Sequence, residues 1–312
     1  MGKKIAAVLL SGILAAAAVG CGSSSKEADN TAPKVEKEEA FVYTNAQPMA
    51  LWKNVEDMPY YDDDVTGQAV TLTPYVADGG NGGCLIICPG GGYGNVVTEK
   101  EGTAPAKALN ENGISAFVLN YRVAPYDYHA MLTDIFRAIR YVRYHAEDFG
   151  IDPDKIGVMG FSAGGHLAAM SLEHFEEDTQ DGDEIDAVSA KPDCGVLCYP
   201  VLSMQDEYTH QGSREKFLGD KKDDEEYIQK YSAELGVTQD TPPCFVWHCD
   251  TDSTVPYQGS QAFADAMSQA DVPCEFHLYH WGGHGLGLAT DNKAEVKDWF
   301  PTCIEWLRGL GF

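Results

Sequence analysis

Basic side chains are scarce in this chain. Its 312 residues include 22 lysines and arginines against 48 aspartates and glutamates, so the formal net charge is −26 at pH 7. Because so acidic a surface repels phosphate groups, the charge argues against nucleic acids and anionic membrane surfaces as electrostatic partners. We interpret the acidity as a solvated surface that favours solubility, with a specific cationic partner as the alternative.

The chain also lacks the cysteine pattern of a metal site. None of its nine cysteines forms a close pair that a second pair matches, and we predict neither a metal nor another cofactor. All except Cys21 lie mostly in apolar, strand-like segments, where we expect buried free thiols. Because exported proteins meet an oxidising environment, disulfide bonds are the alternative.

The N-terminus has the features of an export signal in the right order. Lys3 and Lys4 precede an apolar, alanine-rich run over residues 5–19, which is short for a membrane-spanning helix. Cys21 follows small residues, as at the cleavage site of a bacterial lipoprotein. We predict a signal peptide over residues 1–20, lipid attachment at Cys21 and anchoring at the outer face of the cell membrane. An ordinary secretory signal is the alternative.

The remaining chain divides into a linker and one domain. Residues 21–40 are polar, which predicts a flexible linker, and residues 41–312 have a globular pattern without internal repeats. Strand-like and helical segments alternate, which predicts an α/β fold with a mainly parallel central sheet and helices on both faces. The polar residues 203–240 indicate a small insertion or a short helical segment above the sheet. The predicted strands cover residues 69–77, 84–88, 116–119, 155–159, 195–198, 244–248 and 274–279, and the predicted helices cover 103–111, 131–145, 257–270 and 294–310, with another beginning at 167.

A candidate nucleophile lies between a predicted strand and a predicted helix. Residues 160–166 read Gly-Phe-Ser-Ala-Gly-Gly-His and fit the Gly-x-Ser-x-Gly turn that presents a nucleophilic serine. Because this turn is tight, we expect Ser162 to have a strained backbone. We expect its glycines to let strand and helix approach each other.

A serine nucleophile needs a base, and the base needs an orienting acid. With this turn, the acid and then the histidine follow the serine along the chain. Asp252 is the predicted acid, because it follows a buried strand at the sheet edge where active sites lie. Asp250 is the runner-up, and capping of the helix after Pro256 is the alternative role for both. His284, in a glycine-rich loop after the last strand, is the predicted base.

Position argues against the other histidines. His166 lies four residues after Ser162 on the same helix, so we expect it to pack within the fold. His277 and His280 lie on or beside the last strand and are expected to be structural. His210, in the insertion, is a weaker candidate for facing the pocket.

A glycine run supplies candidate donors for an oxyanion. Residues 89–94 read Pro-Gly-Gly-Gly-Tyr-Gly and follow the predicted strand 84–88. The backbone N–H groups of Gly91 and Gly92, with that of Ala163 after the nucleophile, are the predicted donors. A tight turn without catalytic function is the alternative, and the missing Walker lysine argues against phosphate binding.

With these elements in order, residues 65–311 resemble the α/β-hydrolase superfamily, most of all its bacterial acetyl-esterase and xylan-esterase branch, which is related to feruloyl-esterase-like proteins. The spacing from Asp252 to the following Val-Pro matches the family pattern. Pro89 stands where lipase-like members have histidine, which favours the carbohydrate-esterase branch. Three further segments carry the resemblance, at residues 119–125, 134–143 and 241–243.

The resemblance implies a serine ester hydrolase that releases acetyl groups from decorated sugars such as xylan, through an acyl-enzyme on Ser162 with His284 and Asp252 as partners. The expected partner is therefore a small-molecule or polysaccharide ester. A prolyl-oligopeptidase-type peptidase shares the catalytic core, but no propeller domain precedes it here. A lipid-anchored glycan-binding protein would need none of the three residues. Tyr93, Tyr126 and Trp281 are candidates for lining the pocket, and packing beside the His284 loop is the alternative for Trp281.

Overall fold

One eight-stranded sheet organises the residues that the computed structural model describes, which are 41–67, 69–175 and 183–312. The predicted signal peptide, the predicted linker and Cys21 lie outside them. The strands are β1 (Met49–Ala50), β2 (Thr71–Tyr75), β3 (Cys84–Cys88), β4 (Ser115–Asn120), β5 (Ile156–Phe161), β6 (Gly195–Cys198), β7 (Cys244–Cys249) and β8 (Cys274–Tyr279). The helices are α1 (Ala104–Glu111), α2 (Tyr128–Tyr144), α3 (Ala146–Phe149), α4 (Ala163–Glu173), α5 (Gln211–Leu218), α6 (Glu225–Lys230), α7 (Ala233–Gly236), α8 (Gln258–Gln269) and α9 (Trp299–Gly309).

The strand order is β1-β2-β4-β3-β5-β6-β7-β8. β2 pairs antiparallel with β1 and β4, whereas every pair from β4 to β8 is parallel. The mainly parallel sheet predicted from the sequence is therefore confirmed. Because parallel strands end at the same edge of a sheet, the loops that follow β3, β5, β7 and β8 meet there.

Helices cover both faces of the sheet because its strands alternate between two cores. Along β3, Cys84, Ile86 and Cys88 belong to one buried cluster, and Leu85 and Ile87 belong to the other. Apolar side chains of α2, α4 and α8 fill the first cluster, and those of α1 and α9 fill the second. Burial on both faces explains why an inner parallel strand such as β3 is a continuous apolar run in the sequence.

Most predicted elements are present, and the last helix shows the main difference. A 3-10 turn (Glu295–Asp298) precedes α9, which begins at Trp299 rather than at residue 294. Pro301 then falls in the first helical turn, where its missing N–H breaks no hydrogen bond. Residues 203–240 form the short helices α5, α6 and α7, as predicted for an insertion.

The thiols of the described residues agree with the expectation of free cysteines. All eight are free, and all except Cys274 are buried. Burial raises the pKa of the Cys249 thiol to about 11, so this group stays protonated and unreactive at neutral pH. Among the described helices, none is both long and apolar enough to cross a membrane.

Candidate active site

Ser162 occupies a sharp turn between β5 and α4. Its φ of 54° and ψ of −121° are unusual for a residue with a side chain, as the turn motif predicts. A Cβ atom added to Gly160 would lie 2.2 Å from the carbonyl oxygen of Gly164. One added to Gly164 would lie 2.1 Å from the carbonyl oxygen of Cys88. Both positions therefore require glycine, and the expectation of a strained, closely packed turn is confirmed.

The turn places Ser162 at one end of a hydrogen-bonded relay. The Ser162 Oγ lies 2.7 Å from Nε2 of His284, and Nδ1 of His284 lies 2.7 Å from Oδ2 of Asp252. Because the carboxylate accepts from Nδ1–H, the lone pair of a neutral imidazole is left on Nε2, facing the serine hydroxyl. The structure thus brings together the three residues predicted from separate loops.

Asp252 is held in its ionised form. Its side chain is fully buried, and Oδ1 accepts hydrogen bonds from the backbone N–H of Thr254 at 2.8 Å and of Val255 at 3.0 Å. Nε2 of His248, which sequence reasoning missed, lies 3.3 Å from Oδ2. Burial raises the pKa of Asp252, but the hydrogen bonds from His248, His284 and Val255 outweigh it and hold the pKa well below its ordinary value. A permanent negative charge therefore faces the imidazole.

Asp250, the runner-up acid, has a different partner. Its Oδ2 lies 2.7 Å from Nδ1 of His280, which is the residue directly after β8. Helix α8 has no side-chain cap at its N-terminus, so neither acid caps it. The two acids therefore contact different histidines: Asp252 contacts His284, and Asp250 contacts His280.

Candidate backbone donors line the same cavity as this relay. Gly91 and Gly92 have φ angles of 137° and 60°, and within the described chain their N–H groups donate to no acceptor. Together with Ser162 and His284 they line a cavity of about 400 Å³. Ala163 opens α4, so its N–H lies at the positive end of the helix dipole. The predicted oxyanion donors thus lie beside the predicted nucleophile.

A nearly buried carboxylate that lines the cavity was missed from the sequence. Glu101 is 4% exposed, and its Oε2 accepts the N–H of Gly90 at 2.8 Å. Its Oε1 accepts the hydroxyl of Tyr199 at 2.7 Å, and that hydroxyl accepts the N–H of Gly287 at 2.8 Å. The Tyr199 ring also meets the His284 ring edge to face, with 5.0 Å between centroids. Glu101 and Tyr199 therefore connect the glycine loop to the loop of His284.

Other side chains complete the cavity wall. His210 lines it, together with Lys100, Lys216 and Thr254, so His210 does face the pocket. Burial lowers the pKa of His210, and the neighbouring His284 and Lys216 lower it further. A neutral His210 adds no positive charge near the serine at neutral pH.

His166 has the structural role expected for it. It is fully buried, with Nδ1 2.7 Å from the hydroxyl of Tyr93 and Nε2 2.8 Å from the carbonyl oxygen of Tyr231. Burial lowers its pKa to about 4, so the imidazole is neutral. The suggestion that Tyr93 lines the pocket is wrong, because its side chain is completely buried against His166.

Comparisons with known proteins identify a matching family and similar structures. Residues 77–267 match the BD-FAE family model. The crystal structure of an acetyl ester-xyloside bifunctional hydrolase from Caldicellulosiruptor lactoaceticus is 43% identical, with a TM-score of 0.81, and the match covers 86% of this chain and 97% of that one.

Two curated relatives match over part of their length. An acetylxylan esterase from Xylanibacter ruminicola is 32% identical over 80% of this chain and 48% of its own length. Endo-1,4-beta-xylanase B from Butyrivibrio fibrisolvens is 36% identical over 67% of this chain and 33% of its own length. The chain thus spans about half or less of the curated relatives.

Proposed function

The chain belongs to the BD-FAE family of α/β-hydrolase esterases, and from this premise we propose that it is a serine carboxylic-ester hydrolase that removes acetyl groups from decorated sugars. One observation carries the proposal. The Ser162 hydroxyl lies 2.7 Å from an imidazole that a buried carboxylate orients, in a cavity also lined by Gly91 and Gly92, whose N–H groups donate to no acceptor among the described residues. These are the requirements of acyl transfer.

In the first half of the reaction, Oγ of Ser162 attacks the ester carbonyl carbon while Nε2 of His284 takes the hydroxyl proton. Asp252 stabilises the imidazolium that forms. The N–H groups of Gly91, Gly92 and Ala163 donate to the oxyanion of the tetrahedral intermediate. As the intermediate collapses, the imidazolium gives its proton to the departing sugar oxygen, which leaves an acetyl ester on Ser162.

In the second half, water replaces the alcohol. His284 removes a proton from the water as its oxygen attacks the acetyl carbonyl, and the same donors hold the second oxyanion. Collapse then breaks the bond to Oγ of Ser162, which recovers its proton from His284. Acetic acid leaves, and the chain's own residues perform every proton transfer.

The choice of an acetylated sugar rests on the similar proteins. Two of them are named for acetyl ester or acetylxylan hydrolysis, and a third is named as a xylanase. A cavity of about 400 Å³ has room for a small acyl group next to Ser162. Acetylated xylan is therefore the first polymer to assay.

Export and lipid attachment complete the proposal. The charged, apolar and small-residue order of residues 1–20, followed by Cys21, supports an exported lipoprotein held at the outer face of the membrane. Such a location would give the enzyme access to polymers that cannot enter a cell. Labelling with a radioactive fatty acid should mark the full-length protein and should not mark the Cys21→Ala variant.

The enzymatic proposal is tested by comparing four substrates with purified residues 22–312. Acetylated xylan, 4-nitrophenyl acetate, methyl ferulate and a chromogenic peptide would be assayed with the wild type and with Ser162→Ala. We expect acetyl release from xylan and from the nitrophenyl ester, and a loss on the order of 10³-fold or more in kcat in the variant. Peptide cleavage without ester cleavage would favour a peptidase instead, and full activity of the variant would refute the mechanism.

A further inference from the structure

Trp281 holds an exposed indole on the loop that carries His284. It is 65% exposed, whereas Trp247 and Trp299 are completely buried. Only two residues separate it from His284, so the two Cα atoms lie at most about 11 Å apart. Its exposure contradicts packing beside the loop, which was one of the two expectations for this residue. A large apolar side chain left in water next to a catalytic loop is a feature typical of ligand-binding surfaces.

The exposed ring is in contact with a neighbouring imidazole. The imidazole of His280 meets it edge to face, with 4.4 Å between centroids. His280 is held in turn by Asp250, whose Oδ2 lies 2.7 Å from Nδ1. Asp250, the second acid of the loop after β7, is not part of the catalytic relay. Its role here is to hold His280, which contacts Trp281.

The backbone on either side of the ring is also fixed. The hydroxyl of Thr251 accepts the N–H of Gly282 at 3.2 Å, and it lies 3.2 Å from the carbonyl oxygen of His280 and 3.1 Å from that of Gly282. Both neighbours of Trp281 are therefore tied to the loop after β7. A side chain that is already ordered loses little conformational entropy when a ligand binds to it.

The loop after β7 places polar side chains both near the ring and at the cavity. Thr251 bonds to the residues that flank Trp281, and Thr254, three residues later, lines the cavity of Ser162. Thr251, Ser253 and Thr254 are all exposed. Hydroxyl groups of one loop are therefore present both beside the backbone that flanks the indole and at the cavity of the nucleophile.

We propose that Trp281 is a stacking platform for a sugar ring of the substrate polymer, outside the cavity that takes the acetyl ester. A sugar ring has an apolar C–H face that fits an aromatic ring and hydroxyl groups that fit a polar rim. This inference rests on the proposed function, and it adds that the enzyme binds the glycan chain as well as its acetyl group.

A protein or lipid surface is a poorer match. The side chains that support or flank the indole through these contacts, His280, Asp250 and Thr251, are polar. One ring in such surroundings offers far less apolar area than a stable protein interface or a membrane contact needs. The area of one indole is instead comparable with one face of one sugar ring.

The test compares Trp281→Ala with the wild type on acetylated xylan and on 4-nitrophenyl acetate. We expect the ratio of kcat/KM on xylan to kcat/KM on the nitrophenyl ester to fall about ten-fold, through a higher KM for xylan. Trp281→Tyr should recover part of the ratio, since it keeps an aromatic face, and His280→Ala should lower it by less than Trp281→Ala does. Leu235→Ala, at another exposed apolar residue, is the matched control and should leave the ratio unchanged.

Three outcomes would overturn the platform. An unchanged ratio in Trp281→Ala would show that the indole does not contact the polymer, and an equal fall on both substrates would show that it acts only by placing His284. A change in oligomeric state on size-exclusion chromatography, without a change in the ratio, would assign the ring to a second copy of the chain.

Binding measured without catalysis separates this proposal from the proposed function. Calorimetric titration of xylohexaose into Ser162→Ala should give binding that the double variant with Trp281→Ala weakens about ten-fold. If the wild type cleaves no ester, the proposed function fails while this titration still decides the platform. If esters are cleaved but the titration shows no effect of Trp281, the platform alone fails.

Discussion

The carboxylate of Glu101, which lines the catalytic cavity, accepts the hydroxyl of Tyr199 at 2.7 Å. Burial raises the pKa of Tyr199 well above its ordinary value, and the nearby Glu101 raises it further, so the hydroxyl remains a donor. The second oxygen of Glu101 fixes Gly90, and the same tyrosine hydroxyl fixes Gly287. This buried pair therefore sets the separation between the glycine loop and the loop of His284.

Weakening this pair should lower turnover more than substrate binding. We expect Glu101→Gln and Tyr199→Phe each to reduce kcat on 4-nitrophenyl acetate about 10- to 100-fold with little change in KM, because misplaced donors cost transition-state stabilisation. Glu99→Gln, an exposed glutamate on the same turn, is the control and should behave as wild type. Melting temperatures would be measured for both variants. If the loss of activity were explained by a fraction of unfolded protein at the assay temperature, the pair would have a purely structural role.

The acid of the relay should be indispensable. Replacing Asp252 with Asn removes the charge that orients His284 and stabilises its imidazolium, so we expect kcat to fall on the order of 10³- to 10⁴-fold. Asp265→Asn, at an exposed aspartate of α8, should retain wild-type kcat. Retention of more than about a tenth of the activity in Asp252→Asn would assign the acid elsewhere.

Asp252 and Glu101 show what the sequence could and could not predict. Asp252 follows a buried strand in the expected chain order, so local pattern and motif order together were sufficient. Glu101 stands in a polar segment with Glu99 two residues earlier, and nothing local distinguishes them. A five-residue π-helical turn (Glu99–Thr103) buries Glu101 and leaves Glu99 exposed.

The same contrast applies to the histidines. His284 could be chosen because it follows the last strand in a glycine-rich loop. His248 lies within a strand, and its contact with Asp252 arises only when the β7 loop folds back over it. The strand segment 84–88 could be predicted to the residue, because burial on both faces of the sheet leaves a continuous apolar signal along the chain. Contacts between loops leave no such signal.

His166 should make stability depend on pH. Its pKa is lowered from 6.5 to about 4 in the folded protein, so between these values the unfolded chain binds more protons. The stabilisation is complete above pH 6.5 and is lost as the pH falls toward 4, by about 2 to 3 kcal/mol for this residue. Urea denaturation at pH 7 and pH 4.5 measures how much the free energy of unfolding falls between these pH values. This fall should be smaller in His166→Gln than in the wild type. An equal loss in both would exclude His166 as a source, and the exposed His129→Gln variant should match the wild type.

The serine turn should tolerate no side chain at Gly164. A methyl group there would overlap the carbonyl oxygen of Cys88, so we expect Gly164→Ala to destabilise the fold by about 3 kcal/mol or more, or to prevent folding. Gly309→Ala, where an added Cβ meets nothing within 4 Å, is the matched control. Equal melting temperatures for the two variants would contradict the packing described for the turn.

The central claim is that Ser162 carries the acyl group, activated by His284. It is tested most directly by quenching turnover of 4-nitrophenyl acetate with acid and locating the acetyl group by peptide mass spectrometry. We expect one acetyl group on the peptide that contains Ser162 in the wild type, and none on Ser162→Ala. Turnover of the ester by the wild type with acetylation elsewhere, or by Ser162→Ala at the wild-type rate, would contradict the mechanism.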